Sequence, residues 1–206
     1  QYIKPISKSY ADQIRLSCPV ASVRRQADFV EIHPRNQPAE KFDQVVIAAH
    51  SDQALSILND PTDAEQNILG AIPYQENETV LHCDESLLPS KKAAWASWNY
   101  HISKEDTGRV AVTYDMNILQ SIGAPEEFCV SLNLVKAIDP AKIHRKFVYY
   151  HPVYNPGSLA ARQSHGQING ENRTYYAGAY WGYGFHEDGV KSALEVTRHF
   201  GKTLDD

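Results

Sequence analysis

Tyr175 to Val190, Tyr-Tyr-Ala-Gly-Ala-Tyr-Trp-Gly-Tyr-Gly-Phe-His-Glu-Asp-Gly-Val, set glycines among aromatic side chains just before a stretch of helical spacing. Glycines at 178, 182, 184 and 189 let a backbone approach a ligand closely, and the first amides of a helix from Gly189 onward offer N–H donors and a positive dipole end. An anionic or electron-rich ligand is favoured there; without one, the same residues read as a tight glycine turn packed under aromatics. His186 carries an imidazole, a side-chain type suited to exchanging protons, and is a candidate proton donor or acceptor, the plainer alternative being a loop histidine bonded to backbone. In Leu81-His82-Cys83-Asp84, His82 and Cys83 point to opposite faces of a strand and cannot form a nucleophilic pair. His82 and Asp84 share a face, but two ligands without a third predict no metal site. Tyr74, Trp95, Trp98 and Tyr100 are candidates to line an apolar substrate cavity, with Trp98 and Tyr100 on one face of their strand.

The elements that must position these residues follow from periodicity. A short helix is expected from Ser9 to Leu16, then a hairpin from Pro19–Val23 and Phe29–Ile32. Phe42 to Ala49 forms a continuous apolar run expected as a central strand covered on both faces. Ser51 is expected to cap a helix to Leu58, and Thr62-Asp63-Ala64-Glu65 is a capping box opening a second that ends near Gly70. Strands are expected at Glu78–Cys83, Ala94–Ile102, Arg109–Tyr114 and Phe128–Leu132, with Asp106-Thr107-Gly108 as a turn, which makes the middle section an antiparallel sheet. Lys146–Tyr150 and Thr174–Ala177 read as strands and Gly157–His165 as a helix. In the last helix Val190, Ala193, Leu194, Thr197 and Phe200 share one face, and Gly201 ends it.

Composition narrows the classes. Lys+Arg 20 against Asp+Glu 25 gives a net charge of -5, with no basic stripe for nucleic acid. No apolar run has membrane length, so no integral membrane segment is expected. The 3 cysteines, Cys18, Cys83 and Cys129, are too few and too far apart for a disulfide framework, which makes a cytoplasmic setting the default. The opening Gln1 suits a fragment boundary.

The Tyr-Tyr-Ala-Gly strand, glycine-rich loop and Asp188-Gly189-Val190-Lys191-Ser192-Ala193 helix start resemble the C-terminal FAD-binding segment of flavin-containing amine oxidases. The variant here is similar to a bacterial subgroup described only as predicted NAD/FAD-binding proteins. Cys18-Pro19-Val20-Ala21-Ser22-Val23 followed by Phe29-Val30 is similar to the family's Pro-Val hairpin, and Val45 to His50 resembles its later strand ending in Ala-x-Pro, with His50 in place of the proline. The resemblance implies FAD contacts at Val20, Ala49, Gly178, Ala179, Tyr180, Gly184, Phe185, His186, Glu187, Asp188, Gly189 and Val190. It also implies a lysine near flavin N5 on the strand after the two short helices; Glu78 to His82 holds none, and His82 is the nearest substitute. The family's Gly-x-Glu position reads Tyr180, and the aromatic expected against the flavin reads His186. Gly-x-Gly-x-x-Gly, which holds the ADP half of such cofactors, is not in these residues.

These features together imply an α+β fold. An antiparallel substrate-domain sheet with short helices is joined by a strand and C-terminal helix of an incomplete Rossmann-like FAD-binding domain. The expected division is 1–50 and 169–206 with the cofactor and 51–168 with the substrate. The expected activity is that of an FAD-dependent oxidoreductase in full-length form, acting on a small or lipid-like molecule by hydride transfer to flavin. The missing N-terminal FAD-binding half would be supplied by the same protein, and the fragment alone is expected to be inactive. The rival reading is a non-catalytic ligand- or partner-binding domain with a degenerate flavin loop.

Overall fold

The computed structural model describes residues 3–102 and 108–204. By internal contacts the chain divides into two units, Gln1–Pro73 with Pro152–Asp206, and Tyr74–His151.

The first unit opens with a short helix, α1 (Ile3–Ser7), and a 3-10 turn, Lys8–Gln13, neither of which buries a residue. Strands β1 (Val20–Arg25) and β2 (Val30–Pro34) form the expected antiparallel hairpin, closed by Gln26 N–H to the Phe29 carbonyl at 2.9 Å. β3 (Glu40–Phe42) adds antiparallel to β2. β4 (Val45–Ile47) leads into α2 (Ser51–Ile57) and α3 (Asp63–Leu69). The capping box at α3 forms as its sequence dictates: Thr62 Oγ1 accepts from Glu65 N at 3.2 Å while Glu65 Oε2 accepts from Thr62 N at 2.8 Å.

Tyr74 opens the second unit in strand β5 (Tyr74–His82), followed by β6 (Trp98–His101), β7 (Ala111–Asp115), α4 (Met116–Gln120), β8 (Cys129–Leu132) and β9 (Ile143–Pro152). The strand order is β6-β7-β8-β5-β9. Cys83 N donates to the Lys142 carbonyl at 3.0 Å and Tyr150 Oη to Glu76 Oε2 at 2.7 Å, so β9 runs antiparallel to β5. The chain then returns to the first unit through α5 (Pro156–Gln163), β10 (Thr174–Tyr176) and α6 (His186–Arg198). β10 lies parallel to β4, with Thr174 opposite Val45 and Tyr176 opposite Ile47.

Cross-strand partners share a face of a sheet, so the registers sort the five-stranded sheet into two chemistries. Trp98, Tyr100, Val112, Tyr114, Val130 and Leu81 fall on one face. The other carries a polar row: His82 Nε2 to Ser131 Oγ at 2.8 Å, Ser131 Oγ to Thr113 Oγ1 at 2.7 Å, and Thr113 Oγ1 to His101 Nε2 at 2.9 Å. Asp84 N–H donates to His82 Nδ1 at 3.1 Å. That donor fixes the His82 proton on Nε2, so Ser131 donates on to Thr113 and Thr113 to His101. Burial lowers the pKa of both histidines and keeps both rings neutral in this row.

The structure changes several expectations. The helix expected over Ser9–Leu16 does not form: the α-helix lies earlier, the chain over Lys8–Gln13 is 3-10 with Tyr10 out of helical geometry (φ -134°), and Leu16 is 85% exposed. Phe42 to Ala49 is two strands, because β3 joins the hairpin while β4 turns to pair with β10; Phe42 and Val46 are exposed. His50 occupies the position before α2, and Ser51 is a buried residue of its first turn. Trp98–His101 is strand, whereas Lys92–Ala94 is a 3-10 turn. Asp106 and Thr107 of the expected turn lie outside the described residues. α6 buries Ser192 and Val196 and exposes Val190, since Gly178 N–H donates to Ser192 Oγ at 2.9 Å and turns that side inward; Phe200 lies beyond the helix end and is exposed.

The expected 51–168 block also divides differently. α2 and α3 belong with the first unit, because Asn59 N donates to the Val23 carbonyl at 3.0 Å and Glu65 binds Arg25 and Tyr176. Arg25 reaches Glu65 through two nitrogens at 2.5 and 2.9 Å and Asp60 Oδ1 at 3.1 Å, while Tyr176 Oη donates to Glu65 Oε1 at 2.6 Å. Glu65 and Tyr176 are fully buried, so this cluster locks β1, α3 and β10 together.

Candidate functional site

Because β4 and β10 are parallel, their carboxyl ends lie side by side, and the segments leaving the two strands emerge at the same edge. Ligands of open α/β sheets gather at such edges. After β4 come Ala48, Ala49 and the start of α2; after β10 come Ala177, held by its N–H to the Ile47 carbonyl at 3.1 Å, and the Gly178–Phe185 loop into α6.

An open, mostly apolar groove of about 700 Å³ lies on the β4 side of this edge. Val20, Ile32, Val45, Val46, Ala49 and Ile57 are among its lining residues. The volume falls within the several-hundred-Å³ range of ordinary cofactor and ligand sites. Two cofactor candidates separated by 29 positions, Val20 and Ala49, therefore meet in one groove.

The glycine loop is held by its own side chains. Asp188 Oδ2 accepts from Tyr183 N at 2.9 Å and Phe185 N at 3.0 Å, so its carboxylate folds the loop back on the start of α6. Arg162, on α5, donates to the Gly182 carbonyl and lies over the Tyr154 and Tyr183 rings at 5.1 and 4.7 Å. Trp181 stacks on His165 with ring centroids 4.0 Å apart, and His165 Nε2–H donates to the Tyr176 carbonyl at 2.7 Å. Burial lowers the His165 pKa, so the ring acts here as a neutral plate and donor.

Two glycines in the loop are required by its own packing. A Cβ at Gly178 would sit 2.3 Å from the Tyr180 ring, and one at Gly182 would sit 2.3 Å from the Asp188 carboxyl. Gly184 is needed for its φ of +89°. A Cβ at Gly189 meets nothing closer than Ala179 at 3.9 Å. Gly182→Ala is therefore expected to cost about 1–3 kcal/mol by overpacking and to release the Asp188 clamp. Hydrogen exchange over 178–190 should quicken in that variant and stay slow in Gly189→Ala; equal exchange in the two would show that the clamp does not hold the loop.

The remaining candidates divide by exposure. Tyr180 is buried under the loop, whereas Phe185 (69% exposed), His186, Glu187 and Val190 face outward. Glu187 lies 3.8 Å from Lys191, a weak surface pair. Ala179 accepts from Gly182 N at 3.0 Å and Gly184 N at 3.1 Å, forming the loop's inner turn. Trp98 and Tyr100 share the apolar face of the second unit and are 62% and 59% exposed, and Tyr74 is half-buried at the start of β5. His82 is fully buried with both ring nitrogens bonded, an environment that spends its proton chemistry on the sheet.

Sequence reasoning misses the Arg25–Glu65–Tyr176 cluster and the Arg162 clamp, whose members lie on different elements with no spacing signal.

Residues 3–113 match the family model described as flavin containing amine oxidoreductase. No curated protein matches the chain significantly. Among solved structures, the CLA-producing fatty acid isomerase from P. acnes aligns with a TM-score of 0.63 at 15% identity, over 89% of this chain and 47% of that one. Cyclohexylamine oxidase from Brevibacterium oxydans gives 0.59 at 13% identity, over 96% and 52%. Wild-type putrescine oxidase bound to putrescine gives 0.64 at 9%, over 96% and 51%. The chain thus spans about half the length of these structures, and at such identities the likeness is one of fold. With more than half of the sequence matched by the family model and the glycine loop set at the shared edge of β4 and β10, the chain belongs to the flavin containing amine oxidoreductase family.

Proposed function

We propose that this chain is part of an FAD-dependent oxidoreductase, its first unit holding part of the cofactor and its second contacting an apolar, lipid-like substrate. The observation that carries the reading is the parallel β4–β10 pair, at whose carboxyl edge Ala49 and the Gly178–Val190 loop emerge, Ala49 also lining the groove that Val20 lines. The residues there fit a flavin nucleotide: an apolar wall for a planar ring system, and a glycine-tightened turn into a helix N-terminus beside an anionic linker. In this reading Val20 meets the adenine edge, Ala49 and Gly178 to Gly184 follow the linker, and Phe185 to Val190 lie toward the ring. The ADP half is completed by a Gly-x-Gly-x-x-Gly unit elsewhere in the same protein, the rest of the incomplete Rossmann-like domain.

Bound flavin supplies hydride acceptance from a carbon next to nitrogen or from an unsaturated carbon. The chain's own residues orient and shield. Trp98, Tyr100 and Tyr114 give the second unit an open apolar face suited to an acyl or polycyclic substrate. The polar row behind that face stiffens the sheet, and His82 serves this row. In this reading His186, exposed at the first position of α6, is the proton-exchanging group.

The test is the visible spectrum of the full-length protein. Flavin absorbance, with FAD identified in the released cofactor, is expected; a colourless protein that takes up no added FAD would leave the non-catalytic binding domain as the reading. His186→Ala is expected to shift the flavin band or slow its reduction about 100-fold or more, the range of a lost general acid or base. An unchanged spectrum and rate would return His186 to a surface loop role.

A further inference from the structure

At one end of the five-stranded sheet, away from the polar row, three metal-ligating side chains from distant parts of the sequence converge. Cys83 follows β5, Glu126 precedes β8 and His144 is the second residue of β9; their ligand atoms all lie within 4.8 Å of one another. The topology requires this meeting. His82 pairs with Cys129, which puts the segment before β8 beside Cys83, and Cys83 N–H donates to the Lys142 carbonyl at 3.0 Å, which puts His144 on the adjoining strand.

We propose that Cys83, Glu126 and His144 form a zinc site that clasps β5, β8 and β9. A thiolate, an imidazole and a carboxylate are the donor types Zn²⁺ takes in tetrahedral sites, and three protein ligands leave the fourth position for water. Metal–ligand bonds of about 2.0–2.3 Å hold the donor atoms of a tetrahedron about 3.5 Å apart. Closing from 4.8 Å needs modest side-chain rotation, and Glu126 and His144 are exposed enough to make it. Cys83 is the fixed member, its Sγ 3.7 Å from the Lys142 carbonyl, and the Phe128 ring 5.7 Å from that of His144 limits the imidazole's swing. Soft and borderline donors in the set select Zn²⁺ over Mg²⁺ or Ca²⁺.

The geometry differs from the His82–Asp84 pair considered in the sequence. His82 points into the polar row, Asp84 is occupied by Lys142 Nζ at 3.1 Å and Asp139 N at 2.9 Å, and the third ligand comes from elsewhere. Binding would tie three strands at one sheet end and raise stability with the logarithm of free metal concentration above Kd.

Titration of the tag-free full chain with Co²⁺ tests this. One equivalent should bind with a thiolate-to-cobalt charge-transfer band and tetrahedral d–d bands, and Zn²⁺ should displace it. Cys83→Ser should abolish the charge-transfer band, and His144→Ala and Glu126→Gln should each weaken binding about 10-fold or more, with circular dichroism confirming that each variant folds. Cys18→Ser should leave every signal in place. Absence of a one-equivalent Co²⁺ complex in the wild type, or a charge-transfer band that survives Cys83→Ser or vanishes with Cys18→Ser, would overturn the site. If Cys83→Ser fails to fold, undiminished affinity in both His144→Ala and Glu126→Gln would do so.

Discussion

Glu65→Ala is expected to be the most damaging single substitution in the first unit, costing about 3–5 kcal/mol, the loss expected when one partner of a buried ion pair is removed. The variant leaves the Arg25 guanidinium buried opposite nothing but Asp60, deprives Tyr176 Oη of its acceptor and removes half of the α3 capping box. Burial alone would raise the Glu65 pKa, but the hydrogen bonds from Arg25, Tyr176 and Thr62 outweigh it and hold the carboxyl below its usual value. Burial and that neighbouring carboxylate push the Tyr176 phenol the other way, well above the ordinary tyrosine range. Urea unfolding monitored by circular dichroism gives the measurement. A loss under about 1 kcal/mol, the scale of an exposed pair, would mean that the cluster does not bind β1, α3 and β10 into one body. The paired change Arg25→Met with Glu65→Leu should recover most of the loss, because it removes both charges together.

Asp84 should play the corresponding part in the second unit. Its carboxylate is 2% exposed and accepts from Asp139 N at 2.9 Å, Lys142 Nζ at 3.1 Å and Ser86 N at 3.2 Å, tying the end of β5 to the segment that leads into β9. Burial pushes its pKa up, and those three donors more than reverse the shift, holding it well below the carboxylate range. A carboxyl whose folded pKa is depressed contributes stability that is present above the unfolded pKa of about 3.9 and is lost as pH falls toward the folded value. Asp84→Ala is therefore expected to cost about 2–3 kcal/mol near neutrality, as for hydrogen bonds to a charged group. Its unfolding curve should also be flatter than that of the wild type below pH 4. A variant that loses stability equally at pH 7 and at a pH below both pKa values would show that Asp84 acts by packing alone.

These two residues show where sequence reasoning stops. The Thr62–Glu65 capping box is legible because a cap acts over three residues, and helix geometry fixes which atoms meet. That the same Glu65 also neutralises Arg25, 40 positions away, is set by the docking of α3 on the hairpin. Sequence likewise carries the hairpin, the antiparallel middle strands and the glycine loop, all of which arise from local spacing and turn chemistry. It misplaces the break at Asp43 and Gln44, because an apolar run does not reveal that its halves join different sheets. It also misassigns the inward side of α6, which Ser192 settles by accepting from Gly178.

What the sequence determined by itself is most of the local elements and the family, since short-range propensity and an ordered series of motifs are properties of neighbours along the chain. What only the tertiary structure decided is which distant side chains meet. The parallel pairing of β4 with β10 gathered the candidate cofactor residues, while burial committed His82 to the sheet. The order β8-β5-β9 brought Cys83, Glu126 and His144 together. The physical reason is the same throughout: strand pairing joins residues at any separation, and no local pattern records the partner.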